Sequence, residues 1–414
     1  MKRLTRRLKK ELLTRTLSVM PKPARDRYLR THVNLDYAPS PDLKFKLAQT
    51  KDELEQAFRL LHEAYVASGS MKPHPSGMRI TPYHALPGTS VLIAKSGDQV
   101  IATLSVFRMS PFGIPVSKAF DVSHLLKAGI RFAELSSLTV ADAYKKDQRE
   151  LLFGLLKYVY EYTTRYFGID MKLIVIKPFR RFFYESLLHF ESLDDRVVKN
   201  YAFSNGATVV AKYLDLRKAP ALYKASYSNY PDRQNLFKYF VETKLDNFEF
   251  PERNFNTISD PAMTPELLSY FFWEKTSIVR EMSEIERRVL SNLYPKSSYQ
   301  LVLGRNKPNP RLSADRIEER GDVKCPAKII SHNNFPLEVR DVSHHGLMGF
   351  TSTTLSCKDR LSIAVEVGPG KISQLQAIVR WTSGLGHYGF EIVEADAEWT
   401  SLVAAATCSL LVSK

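Results

Sequence analysis

The stretch from Gly304 to Ser313 constrains this chain most, because it sets Pro308 and Pro310 among polar residues and reads as a hinge. Proline neither continues a helix nor donates to a sheet ladder, so regular structure should stop here. With 414 residues the chain is also too long for one ordinary core. The hinge therefore separates parts that bury their own apolar side chains. Hydrophobic residues at 44% and charged residues at 25% are the proportions of a globular protein with cores of normal size.

Beyond the hinge lie two short signatures, Arg316-Ile317-Glu318-Glu319-Arg320 and Asp341-Val342-Ser343-His344-His345-Gly346. Between them the pattern predicts one strand over Val323–Ser331 and a partner over Phe335–Val342. Two guanidiniums a helical turn apart can grip phosphate oxygens bidentately and stack on purine faces. Asp341 and Ser343 would sit near a turn, where Gly346 allows backbone geometry that a β-carbon would exclude. The two signatures, with Gln376–Trp381 and Tyr388-Gly389-Phe390-Glu391 after them, resemble the PilZ family in its RxxxR and (D/N)xSxxG motifs. The resemblance implies that Arg316, Arg320, Asp341, Ser343 and Gly346 bind cyclic di-GMP. It also fits the turns at Asn333-Asn334, Gly346, Gly368-Pro369-Gly370 and Gly384-Leu385-Gly386, which predict an antiparallel barrel of about six strands, closed by a helix from Glu398. His344 and His345 read as turn residues, with no further ligands at metal spacing.

Before the hinge, strands and helices alternate. Thr50-Lys51-Asp52-Glu53 is a capping box opening a helix to about Ala67, with Leu54, Ala57, Phe58, Leu61 and Tyr65 on one face. A hairpin follows over Ser90–Lys95 and Val100–Arg108. The strand Phe132–Val140 is unusual, because Glu134, Ser136 and Ser137 stand among apolar residues, and alternation assigns Glu134, Ser136 and Leu138 to one face. A carboxylate buried there would have a raised pKa suited to a general base, whereas one at a strand end would stay in water or pair with an arginine. Next come a helix over Gln148–Tyr166, a strand over Met171–Ile176, Phe182-Phe183-Tyr184 leading into another helix, and a last strand over Thr208–Leu216.

This order resembles the acyltransferase fold of N-acetyltransferases (GNAT) and autoinducer synthases. Its phrases Met78-Arg79-Ile80-Thr81, Leu86-Pro87-Gly88-Thr89, Ala102-Thr103-Leu104-Ser105 and Ala133-Glu134-Leu135-Ser136 look most like the N-acyl amino acid synthase branch. The resemblance implies transfer of an acyl group from a thioester to an amine, with Glu134 as base or amine-orienting group. Ser136 would relay a proton, and Tyr184 would lie near the leaving sulfur. Two departures matter. Where relatives carry Glu-x-Ser-Arg this chain has Ser137, which favours a non-catalytic cyclic di-GMP receptor built on a degenerate acyltransferase fold. The loop Tyr144–Leu151 lacks the glycines that hold the pyrophosphate of coenzyme A, which favours acyl carrier protein over acyl-CoA as donor.

Charge bears on partners. Residues 1–30 hold eleven Lys and Arg side chains against Glu11 and Asp26, a net +9 within the chain's +15. Leu4, Leu8 and Leu12 recur at helical spacing, so this arm can lie on an anionic membrane face, and the basic chain suits an acidic acyl carrier protein. By charge alone the arm would suit nucleic acid as well, although DNA is not an expected partner. Cys325, Cys357 and Cys408 are far apart and imply neither disulfides nor a zinc site. No run approaches the ~18 apolar residues of a membrane span, and Ser401–Val412 reads as a closing amphipathic helix. The location expected is the cytoplasm, with contact to the inner face of the membrane through the arm.

The sequence thus predicts an α+β protein: a basic arm (1–43), a GNAT-like acyltransferase domain (44–216), a helical connector (217–303), a hinge (304–315) and a barrel (316–414). The function expected is cyclic di-GMP-responsive N-acylation of an amino acid or similar amine.

Overall fold

The computed structural model of the chain describes residues 15–110, 112–144, 148–166, 168–251, 263–294, 299, 302–303, 321–368, 370–382 and 386–408. The expected hinge, Arg316, Arg320, Leu4, Leu8 and Leu12 lie outside the described residues.

The chain begins with helix α1 (Lys22–Thr31), strand β1 (Leu43–Leu47) and helix α2 (Lys51–Ala67). It continues through β2 (Thr89–Ser96), β3 (Gln99–Arg108), β4 (Phe132–Val140), helix α3 (Gln148–Glu161) and β5 (Met171–Ile176). The short β6 (Glu191–Ser192) and β7 (Val198–Tyr201) precede β8 (Ala207–Asp215), and helices α4 (Ala219–Tyr227) and α5 (Glu284–Leu293) come next. The predicted capping box opens α2: Thr50 Oγ1 accepts the Glu53 N–H at 3.2 Å, and the Glu53 carboxylate accepts the Thr50 N–H at 3.3 Å. Glu53 also pairs with Lys46 of β1 at 3.0 Å and Lys95 of β2 at 3.1 Å. One carboxylate thus starts a helix and pins it to the sheet edge.

The eight strands form one sheet in the order β1-β2-β3-β4-β5-β8-β6, with β7 paired to β8. Every pairing is antiparallel except β4 with β5. That parallel pairing covers Phe132–Leu135 against Met171–Ile174 only, although both strands run on. The sheet therefore splays along the C-terminal half of β4.

A core lies on each side. One gathers α3, α4 and Tyr239, Phe240 and Leu245 against Leu104, Val106, Leu135 and Ile174. The other packs α2 and Leu268, Phe271, Phe272 and Val279 against Val91, Phe107, Phe132 and Leu173. The expected connector is thus divided: its first part covers one face of the sheet and its second part the other. Helix α1 docks as well, with Arg30 Nε donating to the Ser186 carbonyl at 3.1 Å and the Arg25 guanidinium 4.4 Å from the Phe182 ring centroid. Val33 and Leu35 are buried in the α3-side core, so this part of the expected arm belongs to it.

In the last part of the chain β9 (Gly321–Ile329), β10 (Phe335–Ser343), β11 (Gly346–Phe350), β12 (Arg360–Gly368), β13 (Lys371–Thr382) and β14 (His387–Ala395) close into a six-stranded barrel ordered β10-β11-β14-β13-β12-β9. Helix α6 (Ala397–Cys408) seals it by burying Trp399, Leu402, Val403 and Ala406 in the barrel core. Asp396 caps α6, accepting the Trp399 N–H at 3.0 Å and the Ser373 hydroxyl at 2.6 Å. The closing helix begins at Ala397, one residue before the expected Glu398. Among the described residues no helix is long and apolar enough to cross a membrane.

Candidate functional site

Strand β4 carries the feature on which the site depends. Ser105 pairs with Ser136, yet Thr103 pairs with Thr139, so two steps along β3 match three along β4. The extra residue is a β-bulge at Ser137, whose φ of 62° lies in the left-handed region that a serine adopts at a cost of roughly 1–2 kcal/mol. The bulge reverses the alternation. Leu135 belongs to the α3-side core, and Leu138 and Val140 pack on that same side. The expected common face of Glu134, Ser136 and Leu138 is therefore corrected: Leu138 lies opposite, because one residue has been inserted before it.

Under the bulge a set of buried polar groups joins chain-distant segments. His84 Nδ1 accepts the Thr81 N–H at 3.1 Å, leaving its Nε2–H to donate to Ser105 Oγ at 3.3 Å. Burial, then the nearby Arg79 charge, drive the His84 pKa down to about 3, so the ring is neutral and serves as a strut. Ser136, half-buried, stands in register with Ser105.

Glu134 is 1% exposed, and its Oε2 accepts the Val116 N–H at 2.6 Å. Neither a water-exposed strand end nor an arginine partner describes it; among the described residues no cation pairs with it. Burial raises its pKa to about 8, against the opposing pull of the Val116 N–H. This carboxyl changes charge near neutral pH and can take a proton from an ammonium-derived amine without being a strong base in water.

Tyr83 and Tyr201, which lie within electrostatic reach of Glu134, line a cavity of about 530 Å³ together with Phe112, Lys118, Phe203 and Glu286. The Tyr83 and Tyr201 hydroxyls are pushed well up in pKa, by burial first and then by the Glu134 charge, and stay protonated. Tyr184 lies in the α3-side core, its ring edge-on to Phe183 at 5.1 Å and Phe190 at 5.5 Å. The structure thus brings Glu134 and Ser136 together on one strand beside the splay, while Tyr184 packs in the other core.

In the barrel, Asp341, Ser343 and Gly346 share one hairpin. Ser343 pairs with Gly346 across the two-residue turn His344-His345, and its hydroxyl donates to the Gly346 carbonyl at 3.3 Å. Trp399 Nε1 donates to the Ser343 carbonyl at 3.1 Å, fixing the hairpin to α6. Asp341 is buried and follows a bulge at Arg340. Arg316 and Arg320 lie outside the described residues, but Gly321, which follows Arg320, pairs with Val342 between Asp341 and Ser343.

The barrel touches the sheet at a buried charge pair. Arg108, the last residue of β3 and 5% exposed, donates through Nη2 to Glu338 Oε1 of β10 at 3.2 Å. Arg108 pairs in register with Ala133, the neighbour of Glu134, and Glu338 lies three residues before Asp341. Burial, and then Arg340, lower the Arg108 pKa to about 9, with Glu338 opposing. Sequence reasoning missed Arg108, Glu338, Arg79, Tyr83 and Tyr201. Only Arg79 stood inside a phrase already singled out, Met78–Thr81.

Comparison with known proteins bears on the first part of the chain. Residues 56–215 match the family of the N-acyl amino acid synthase FeeM. That span runs from within α2 to the last residue of β8, and is less than half of the chain. No curated protein matches. Among solved structures, FeeM itself, an N-acyl amino acid synthase from uncultured soil microbes, is 19% identical, with a TM-score of 0.38 over 44% of this chain and 95% of its own. The CoA-dependent acyl-homoserine lactone synthase BjaI, solved with SAM and isopentyl-CoA, is 15% identical, with a TM-score of 0.36 over 51% and 95%. The AHL synthase LasI is 15% identical, with a TM-score of 0.31 over 42% and 89%.

Proposed function

We propose that the sheet domain is an N-acyltransferase that moves a fatty acyl group from a thioester carrier to the amine of an amino acid. The observation that carries this reading is Glu134, a buried carboxyl with a pKa near 8 within electrostatic reach of two tyrosines that line a 530 Å³ cavity, on a strand that splays from its parallel neighbour. In this reaction the amine nitrogen attacks the thioester carbonyl, a C–N bond forms and the C–S bond breaks. Glu134 takes the proton that the amine loses, and the sulfur leaves as the thiol once protonated. The stretch of β4 beyond Leu135, free of β5, offers backbone N–H groups to the developing oxyanion. The FeeM family match over these residues supports the same chemistry. Acyl carrier protein is the donor we favour, because Tyr144–Leu151 contains no glycine to cradle a pyrophosphate.

The barrel, in this reading, is the control module and cyclic di-GMP its ligand, held by Asp341, Ser343 and Gly346 with Arg316 and Arg320. The Arg108–Glu338 pair supports a route between the modules, since Glu338 belongs to the ligand hairpin's own strand and Arg108 to the strand beside Glu134. The protein would work in the cytoplasm, with the basic arm toward the anionic inner face of the membrane.

The test is incubation of the purified protein with acyl carrier proteins bearing acyl chains of several lengths, acyl-CoA and mixed amino acids, with products read by mass spectrometry. The expected product is an N-acyl amino acid, and Glu134→Gln should lower its rate about 10²- to 10⁴-fold. No acyl-amine from any donor would leave the non-catalytic receptor as the better description, in line with Ser137 standing where relatives carry arginine.

A further inference from the structure

Arg79 is 8% exposed, yet no carboxylate among the described residues pairs with it. Its backbone N–H is tied to the Phe58 carbonyl of α2 at 3.0 Å, which fixes where the side chain starts. The guanidinium lies 4.1 Å from the Tyr65 ring centroid and 5.0 Å from that of Phe203, and Nη2 donates to the Phe203 carbonyl at 2.8 Å. Those contacts hold the planar group in one orientation. They leave its Nε–H, which is buried, without an acceptor among the described residues. A second buried polar atom nearby is in the same condition: the Tyr201 hydroxyl, on a residue 4% exposed, has no hydrogen-bond partner among the described residues.

A buried guanidinium without its own anion is costly, and one rigidly stacked between aromatic rings is kept ready for an anion from elsewhere. Tyr201 and Phe203 both line the 530 Å³ cavity, and Arg79 lies directly behind this wall, against the Phe203 ring and on the Phe203 carbonyl. The Tyr201 hydroxyl lies within electrostatic reach of Arg79 on one hand and Glu134 on the other. A molecule seated against Tyr201 can therefore meet a cation with one group and a base with another. An α-amino acid has that layout, a carboxylate and an amine on adjoining atoms.

We propose that Arg79 and Tyr201 bind the carboxylate of the acceptor and thereby turn its amine toward Glu134; the assignment rests on the N-acyltransferase reading. The guanidinium supplies charge and the Nε–H, and the Tyr201 hydroxyl donates to a carboxylate oxygen. The site then selects amino acids over amines with the same side chain. A phosphate would lack the adjoining amine and could not satisfy Glu134 at the same time.

The experiment uses the full chain and matched probes: L-leucine with isoamylamine, L-phenylalanine with phenethylamine, and inorganic phosphate as competitor. Binding is read by ligand-observed NMR, and turnover with acyl carrier protein thioester by mass spectrometry. The amino acid of a pair should bind on the order of ten- to a hundred-fold better than its decarboxylated partner, as expected for a hydrogen bond to a charged group. Arg79→Gln should bring that ratio close to one by raising KM for the amino acid while leaving the amine's KM nearly unchanged. Tyr201→Phe keeps the ring and should give a partial loss, which guards against an Arg79 variant that fails to fold. Equal binding of amine and amino acid, no amino-acid binding, full displacement of the amino acid by phosphate at equal concentration, or a ratio unaltered in Tyr201→Phe would overturn the assignment. Acylation of amines without carboxylate preference would refute only this assignment. Carboxylate-dependent binding without any acylation would refute only the acyltransferase reading.

Discussion

Replacing Glu134 by glutamine should make the protein more stable and less active, with a pH dependence that identifies the cause. Glutamine keeps the size of the side chain and an oxygen for the Val116 N–H, now 2.6 Å from Glu134 Oε2. It removes the ionisation. The Glu134 carboxyl titrates at about 8 in the native protein against 4.5 when unfolded. Below pH 4.5 both states hold the proton and wild type loses nothing. As pH rises from 4.5 to 8, the unfolded chain releases the proton while the native one keeps it, so native stability falls throughout that window. At about 1.4 kcal/mol per pH unit the loss approaches about 5 kcal/mol by pH 8 and then levels off. The assay compares unfolding of wild type and Glu134→Gln at matched pH values from 4.5 to 9, so that other titrating groups cancel. The variant should match wild type at the acid end and exceed it by several kcal/mol at pH 9. Over the same range wild-type kcat/KM should rise with an apparent midpoint near 8, as the base becomes available. A stability difference that stays flat across the range would refute the reasoning, because Glu134 would then ionise as a carboxylate in water does.

Three further outcomes are expected, two from the structure and one from the sequence motif. Ser137→Gly should hold or raise stability by up to ~1 kcal/mol, and Ser137→Val should lower it by about 2 kcal/mol, since φ of 62° suits glycine and strains a β-branched residue; unfolding midpoints in the reverse order would contradict the bulge. Glu338→Ala should cost about 3 kcal/mol by taking the carboxylate from a buried Arg108, and adding Arg108→Met should restore much of it, checked by thermal unfolding and by protease sensitivity of the barrel. Arg316→Ala should abolish the calorimetric heat of cyclic di-GMP binding, and equal heats from wild type and variant would remove Arg316 from the ligand site.

Legibility in the sequence followed the range of the interaction. The α2 capping box spans four residues, and the barrel turns at Asn333-Asn334, Gly346 and Gly368-Pro369-Gly370 carry their own markers, so local chemistry sufficed there; the β11–β12 connection, Thr351–Asp359, has no Gly, Asn or Pro to mark it. Glu134 stood out because a carboxylate inside an apolar strand is rare on any register. The bulge beside it did not, because serine has no preference for positive φ; only the pairing of Ser105 and Thr103 with Ser136 and Thr139 produces it. Once it was missed, Leu138 fell on the wrong face. Arg79 and Tyr201 were hidden for a different reason. Arg79 reaches Phe203 across 124 residues of sequence, and neither residue type in its own segment differs from an ordinary surface arginine or core tyrosine. Phe271 and Phe272 are too apolar for a free linker, but their spacing does not say on which side of the sheet they pack. Val33 and Leu35 are too few, next to so many basic residues, to mark the end of an arm and the start of a core.

The division of the connector over both sides of the sheet bears on how the protein is made. The FeeM-like span ends at residue 215, but α4 and Leu236–Leu245 must arrive to cover one side of it, and Leu268–Leu290 to cover the other. At roughly 5–20 residues per second the ribosome needs on the order of 4–15 s after β8 to synthesise them. During that interval the nascent sheet shows apolar side chains on both surfaces, and a gene cut at the ends of the family match would show them permanently. The length that matches the family and the length that covers both sides of the sheet are, in this chain, different lengths of polypeptide.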